Sequence, residues 1–194
     1  MSTVAGVILT MAVIAAGLIM LLGNQWRWAI AGLAIQYLVV FLLISQIWPI
    51  GLAAIKLVTG WITCVLLWMS GSPSEFIDNQ HSSLSAQIFR GLSSVLILVI
   101  VFSATPIVNI WIPTTYYYLL IGLILMGLGL IQFGISDRSP QVIIGLLMLL
   151  SGFEVIYSTL EGSALLAAIL ALIHLALGLI GSYYHSQSFQ EAGK

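Results

Sequence analysis

The chain has 194 residues, of which 61% are hydrophobic and only 6% are charged, and its mean hydropathy is +1.16. Soluble domains carry about 25% charged residues, and a compact chain of this size cannot hide so much apolar surface from water. The net charge of −1 gives no sign of a nucleic-acid partner, and a single cysteine, Cys64, excludes a disulfide framework. The sequence therefore predicts a polytopic membrane protein, an all-α bundle of transmembrane helices.

Hydropathy and its interruptions divide the chain into seven predicted spans. The interruptions are rich in Gly, Pro, Asn, Ser and charged residues, which favour turns. The first span has no basic segment before it and no small-residue cleavage site after it, so we expect a retained helix rather than a signal peptide. With about 20 residues needed per span, the predicted spans are 2–22, 29–47, 50–70, 91–110, 115–135, 141–160 and 163–184.

One long loop, 71–90, predicts the division of the chain into blocks. It separates an N-terminal three-helix block, 1–70, from a C-terminal four-helix block, 91–194. Its apolar residues are mixed with Ser, Asn and Gln, which indicates a short segment lying on the membrane surface. The tetrapeptide LAAI at 52–55 recurs at 166–169, and this leaves a parallel internal repeat open.

The basic residues predict the orientation in the membrane. With seven spans, Arg27, Arg90, Arg138 and Lys194 fall on the side of the C-terminus, and the loops of the other side carry no Lys or Arg. The positive-inside rule then puts the N-terminus outside and the C-terminus in the cytoplasm. We expect a prokaryotic inner membrane or a thylakoid membrane. Aromatic residues typical of the membrane interface stand at span ends, namely Trp26, Trp28, Trp48, Trp111, Tyr116, Tyr117, Tyr118, Tyr183 and Tyr184.

A polar face on span six carries the strongest functional signal. Ser151, Glu154, Tyr157, Ser158 and Glu161 follow helical spacing and share one face, which cannot face lipid. Glu154 lies about 9 Å from the outer end of the span, at 1.5 Å per residue. Two interpretations stay open. Glu154 is either a structural carboxyl neutralised by protonation or by a hydroxyl, with Glu161 solvated at the helix end, or a carboxylate that carries protons through the membrane.

Two more ionisable groups lie inside spans. Lys56 lies about as deep in span three as Glu154 does in span six, so the two side chains can form a pair if the spans touch. The alternative is that the lysine snorkels to the interface. His174, near the middle of span seven, is either a neutral packing residue or a proton relay. No other His or Cys has metal-ligand spacing with it, so the sequence predicts no metal site and no cofactor.

Polar amides and small residues predict helix contacts. Gln36 and Gln132 are mid-span amides of the kind that form hydrogen bonds between helices. Gly122, Gly127 and Gly129 permit close packing of span five against its neighbours.

The last three spans resemble a known membrane subunit. Residues 130–184 give a helix, a tight turn with Asp137 and Arg138, a helix with the embedded Glu154, and a third helix rich in small residues. This order, within a unit at 115–185, resembles the small three-helix subunit of respiratory complex I (the K or 4L type) and the C subunit of Mrp-type cation/proton antiporters. The whole chain resembles component E of group-4 membrane-bound hydrogenases. Where the complex I subunit has a second glutamate in its third helix, this chain has only His174.

The resemblance implies a subunit without a cofactor, whose buried glutamates belong to an ion path beside antiporter-like partners. We therefore expect a non-catalytic membrane subunit of a complex I-like or Mrp-like assembly that contributes to proton or cation translocation. A structural or assembly protein is an alternative, and so is a small self-contained transporter with a full polar file and broken helices. An enzyme is least expected, because the sequence shows no paired histidines, no nucleophile with a base and no acidic metal cluster. The expected ion path consists of Glu154, Glu161, His174 and Lys56, supported by Ser151, Tyr157, Ser158 and Gln36.

Overall fold

The computed structural model describes residues 3–23, 26–70, 84–136 and 139–192, and these fold into seven α-helices without a strand. Each helix contains a stretch long and apolar enough to cross a membrane. The predicted all-α fold with seven candidate spans is thus confirmed. The helices are α1 (Thr3–Leu22), α2 (Trp26–Ile44), α3 (Ile50–Ser70), α4 (Leu84–Trp111), α5 (Tyr116–Ile135), α6 (Ser139–Leu160) and α7 (Ala164–Ala192).

Three helix ends in the first half of the chain differ from the prediction by three residues or more. Helix α2 begins at Trp26 rather than at 29. Helix α2 ends at Ile44 rather than at 47, because the chain turns ahead of Pro49, where the Trp48 N–H donates to the Ile44 carbonyl at 2.8 Å. A proline disfavours the α conformation at the residue before it, so the helix stops short. Helix α4 begins at Leu84, which makes 84–90 part of this helix instead of part of a surface segment.

Several predicted loop features lie outside the described residues. These are the remainder of the predicted 71–90 loop, at 71–83, and the turn at Asp137 and Arg138. Near the C-terminus, α7 continues to Ala192, past the predicted end at 184, so this helix is longer than its apolar stretch.

The helices form two groups of four that share α2 and α6. In the first group, α2, α3, α7 and α6 contact one another in a closed ring, and in the second α1, α2, α6 and α5 do the same. Helix α4 packs against α5 and α1 at the edge. The two predicted blocks therefore pack helix against helix, α1 on α5, α2 on α6 and α3 on α7.

Glycines bring α5 and α6 into backbone contact. A Cβ on Gly122 would lie 2.9 Å from the Gly152 carbonyl oxygen, and one on Gly129 would lie 2.8 Å from that of Gly145. The glycines are spaced by seven residues on both helices, so they meet pairwise along an antiparallel crossing. The close packing predicted for span five is confirmed, and Gly127 adds a contact with Ile97 of α4.

We expect Gly152→Ala to separate α5 from α6, because the added methyl would meet the Gly122 carbonyl oxygen at 2.5 Å and the Met126 nitrogen at 2.8 Å. The backbone cannot yield as a side chain can, and the cost is about 1–3 kcal/mol. Gly134→Ala is the matched control, since its methyl meets nothing within 4 Å. Thermal unfolding in detergent should show a lower midpoint for Gly152→Ala alone, and equal midpoints for the two variants would contradict the packing argument.

Candidate functional site

Five polar side chains from four helices meet inside the first group of helices. Tyr37 comes from α2, Lys56 from α3, Ser151 and Glu154 from α6, and His174 from α7, and we call them the buried polar cluster. Lys56 is 4% exposed, Glu154 is 1% exposed and the other three are fully buried. Burial at this level requires that every charge has a partner.

Lys56 and Glu154 form an ion pair between α3 and α6. The Lys56 ammonium contacts the Glu154 carboxylate directly through Nζ and Oε2. Each residue lies six positions from its helix end, at Ile50 and Leu160, and these two ends lie at the same end of the bundle. The predicted pairing at matched depth is confirmed, and the snorkelling alternative for Lys56 is wrong because its ammonium points into the bundle.

His174 shares the Lys56 ammonium with Glu154. The Lys56 Nζ lies 2.9 Å from His174 Nδ1 and 3.0 Å from Nε2. Nδ1 is also 2.9 Å from the Leu170 carbonyl oxygen. A carbonyl only accepts hydrogen bonds, so we assign the proton to Nδ1, which leaves Nε2 to accept from Lys56. His174 is then a neutral imidazole in contact with a charge pair, a placement that neither interpretation of a lone histidine predicted.

Further contacts hold the His174 ring in position. The Ser151 hydroxyl donates to the Leu147 carbonyl at 2.8 Å, and its oxygen lies 3.4 Å from His174 Nε2. The Thr63 hydroxyl lies 3.4 Å from the His174 carbonyl oxygen. Tyr37 packs edge-on against the imidazole, with ring centres 5.8 Å apart. The imidazole is therefore fixed by α2, α3 and α6 together.

Sequence reasoning missed Tyr37 and Thr63. Interfacial tyrosines stand at span ends, but Tyr37 lies well inside α2, and this position was a usable signal. A second signal is Gly60 on α3, where a Cβ would lie 2.5 Å from the Tyr37 ring. Glycine at this position makes room for the aromatic ring beside His174.

The remaining residues of the polar α6 face are buried or half-buried within the helix and exposed beyond its end. Ser158 is 2% exposed, and its carbonyl oxygen accepts a hydrogen bond from the Trp48 indole at 3.2 Å. Glu161 follows the last residue of α6 and is exposed, where its carboxylate accepts from the half-buried Tyr157 hydroxyl at 3.1 Å. The prediction that this face points into the protein is confirmed for Ser151, Glu154 and Ser158. Glu161 follows the helix end and is exposed within this chain, so its contact with a partner subunit stays a prediction.

Gln36 does not form the predicted hydrogen bond between helices. Its side chain is fully buried, yet neither amide atom has a hydrogen-bond partner within the part of the chain that the structure describes. An unpaired buried amide costs about 1–3 kcal/mol. Gln36 is thus not connected by hydrogen bonds to the buried polar cluster.

The residues present define what the site can bind. Among the described residues, no three His, Cys, Asp or Glu side chains come together as a metal site would require. The chain matches no family model, no curated protein and no solved structure. The chemistry of the site therefore follows from the geometry of the buried polar cluster alone.

That geometry couples the protonation of three groups. With Glu154 ionised, Lys56 charged and His174 neutral, the cluster has no net charge. A proton added to His174 while Lys56 stays charged would place two positive charges about 3 Å apart, at a cost of several kcal/mol in a low-dielectric interior. Lys56 and His174 are therefore not both positively charged at the same time while they stay in contact.

The pair should behave as one unit in a double-mutant cycle. Lys56→Met leaves the Glu154 carboxylate buried without its counter-ion, and we expect a loss of about 3–5 kcal/mol or failure to accumulate in the membrane. Adding Glu154→Gln removes the stranded charge, so the double variant should be more stable than Lys56→Met alone. Thermal unfolding midpoints and membrane yields measure the difference. Glu161→Gln, at an exposed carboxylate, should change little, and strict additivity of Lys56→Met and Glu154→Gln would argue against the pair.

Proposed function

We propose that this chain is a non-catalytic membrane subunit of a complex I-like or Mrp-like assembly, in which Lys56, Glu154 and His174 take part in proton or cation translocation. The observation that carries the proposal is the direct contact of three ionisable side chains inside a bundle of membrane-spanning helices. A single ionisable group inside a span costs about 2.5–3.5 kcal/mol on insertion scales, so such groups mark ion pathways and proton relays.

The cluster supports a relay in which Lys56 is the mobile carrier. A proton taken up by the Glu154 carboxylate removes the charge that holds the Lys56 ammonium. Lys56 then gives a proton from Nζ to His174 Nε2, 3.0 Å away. The imidazolium then loses its Nε2 proton to water or to a group of a partner subunit, while Nδ1 keeps its proton on the Leu170 carbonyl. The Glu154 proton passes back to Lys56, and this restores the starting state. One proton enters and one leaves, and the cluster carries at most one excess positive charge.

Apolar packing and unbroken helices around the cluster favour a subunit of a larger assembly over a self-contained transporter. On the far side of Thr63, α7 packs on α3 and α6 through apolar side chains, where Gly181 lies against Leu67 and Ile143. The helices that carry the cluster are continuous rather than broken at this depth. A complete path therefore needs groups from another source, which we propose are antiporter-like partner subunits. Following the resemblance, we propose a prokaryotic inner membrane or a thylakoid membrane as the location.

The second candidate is a structural or assembly role, in which the ion pair only joins helices. It is favoured because both ring nitrogens of His174 already have partners within the bundle, namely the Leu170 carbonyl and the Ser151 hydroxyl. The two candidates differ in what the titratable proton of Glu154 does.

Glu154→Gln separates the two candidates. The amide keeps the size of the side chain and accepts a hydrogen bond from Lys56, so the assembly should form, but it cannot take up a proton. We expect proton flux to fall at least tenfold in vesicles containing the assembly isolated through a tag on this chain. Glu161→Gln is the control, because this carboxylate lies outside the cluster. Wild-type flux from an assembled Glu154→Gln complex would reject the relay and favour the structural role.

We also propose that the N-terminus lies outside and the C-terminus in the cytoplasm, because four basic residues fall on the C-terminal side and none in the opposite loops. Single cysteines replacing Ser2 or Ser188, in a Cys64→Ala background, should test this with a membrane-impermeant maleimide. We expect position 2 alone to react in intact cells. Labelling of position 188 from outside would show that the orientation is the opposite one.

A further inference from the structure

A small cavity lies against the ion pair. It has a volume of about 50 Å³ and runs between α3 and α7, with Lys56 and Glu154 in its wall. The remaining wall is apolar and includes Trp48, Ala168 and Ala171. The two charged groups therefore face a space that no side chain fills.

The cavity has enough volume and two polar groups to hold water. A water molecule needs roughly 10–15 Å³ of this kind of volume and two to four polar partners. The cavity is larger than this, and the Lys56 ammonium and the Glu154 carboxylate offer a donor and an acceptor. The space exists because α7 presents alanines to α3 at helical spacing, at positions 164, 167, 168 and 171.

The cavity reaches one end of the bundle. Trp48 stands just before α3, and Ala164 is the first residue of α7, so both mark the end at which α1, α3 and α7 begin. Ala168, one turn further along, is exposed, whereas Ala171 is 6% exposed and lies at the depth of the ion pair. The lining is therefore exposed near the end of the bundle, which we call the rim, and buried at the depth of the ion pair, which we call the floor.

The opposite side of the cluster is closed by packing. A Cβ on Gly178 would lie 2.8 Å from the Thr63 side chain, and one on Gly181 would lie 2.9 Å from Ile143 and 3.1 Å from Leu67. These contacts show that α3, α6 and α7 pack closely at these two positions. The ion pair thus has an open approach from one end and a closed one from the other.

We propose that this cavity is the water-filled entrance through which protons reach Lys56 and Glu154 from the end of the bundle where α3 begins. The packing at Gly178 and Gly181 separates the pair from the opposite end in this conformation. The inference rests on the proposed function in assigning the cavity to protons, but its hydration and sidedness are measurable without any transport assay.

The test uses Ag⁺, which is small enough to follow water and reacts with thiols. In a Cys64→Ala background, Ala171→Cys places a thiol on the cavity floor, and Ala16→Cys places one at a matched buried alanine, 2% exposed, on α1. Ag⁺ is added to one face of sealed vesicles. Their orientation is determined in parallel vesicles by labelling a variant with a cysteine at position 2. The thiols left unreacted are counted with a maleimide after denaturation.

We expect Ala171→Cys to react at least tenfold faster than Ala16→Cys when Ag⁺ is on the face of the N-terminus, and the rate to fall when Ag⁺ is on the other face. Equal rates for the two cysteines, or faster reaction from the opposite face, would overturn the proposed entrance. Protection from Ag⁺ combined with rapid reaction with a lipid-soluble maleimide would also overturn it, because the approach would then be through lipid.

A plug variant links the entrance to the relay. Ala168→Phe adds a large ring at the rim of the cavity, at an exposed position that does not disturb the core. Leu172→Phe, on the same helix and 69% exposed, is the control outside the cavity. Ala168→Phe should slow both the Ag⁺ reaction at position 171 and proton flux. Slower Ag⁺ reaction with unchanged flux would show that the entrance is real and that protons do not use it, which overturns the proton assignment. Unchanged flux in Glu154→Gln instead rejects the relay itself.

Discussion

The contact between the Lys56 ammonium and the Glu154 carboxylate is the constraint on which the rest of the bundle depends. Neither charge can be buried without its partner, because the loss of hydration costs several kcal/mol per ion. Helices α3 and α6 must therefore stay at one relative depth. A shift of one helical turn, about 5.4 Å, would leave one charge among apolar side chains.

Glycine packing supplies the rigidity that this constraint requires. The pairs Gly122 with Gly152 and Gly129 with Gly145 hold α6 against α5, so that the Glu154 backbone has a fixed position. Because lipid gives helices no hydrophobic reason to associate, such backbone contacts carry much of the packing in a membrane. Gly60 acts in the same way at the site, where it lets Tyr37 pack onto His174.

Hydropathy predicted the seven helices because span length follows from bilayer thickness. The depth of Lys56 and Glu154 was also predictable, since helical rise converts sequence position into distance along the membrane normal. The neighbours of each helix were not predictable in this way. The contact of His174 with Lys56 depends on α7 packing beside α3, which depth alone does not determine. Glu161 had the right helical phase but lies past the helix end.

Under the proposed function, the composition of the cluster suits protons better than metal cations. A sodium ion needs several oxygen ligands, but here the lysine ammonium already contacts the Glu154 carboxylate. A proton needs only one donor and one acceptor at a time. Lysine suits that exchange because its charge sits at the tip of a flexible stem and can turn between two partners. In the proposed relay, Nζ already contacts both the Glu154 carboxylate and the His174 imidazole, so a small rotation of the lysine side chain would connect the proton donor on α6 with the acceptor on α7.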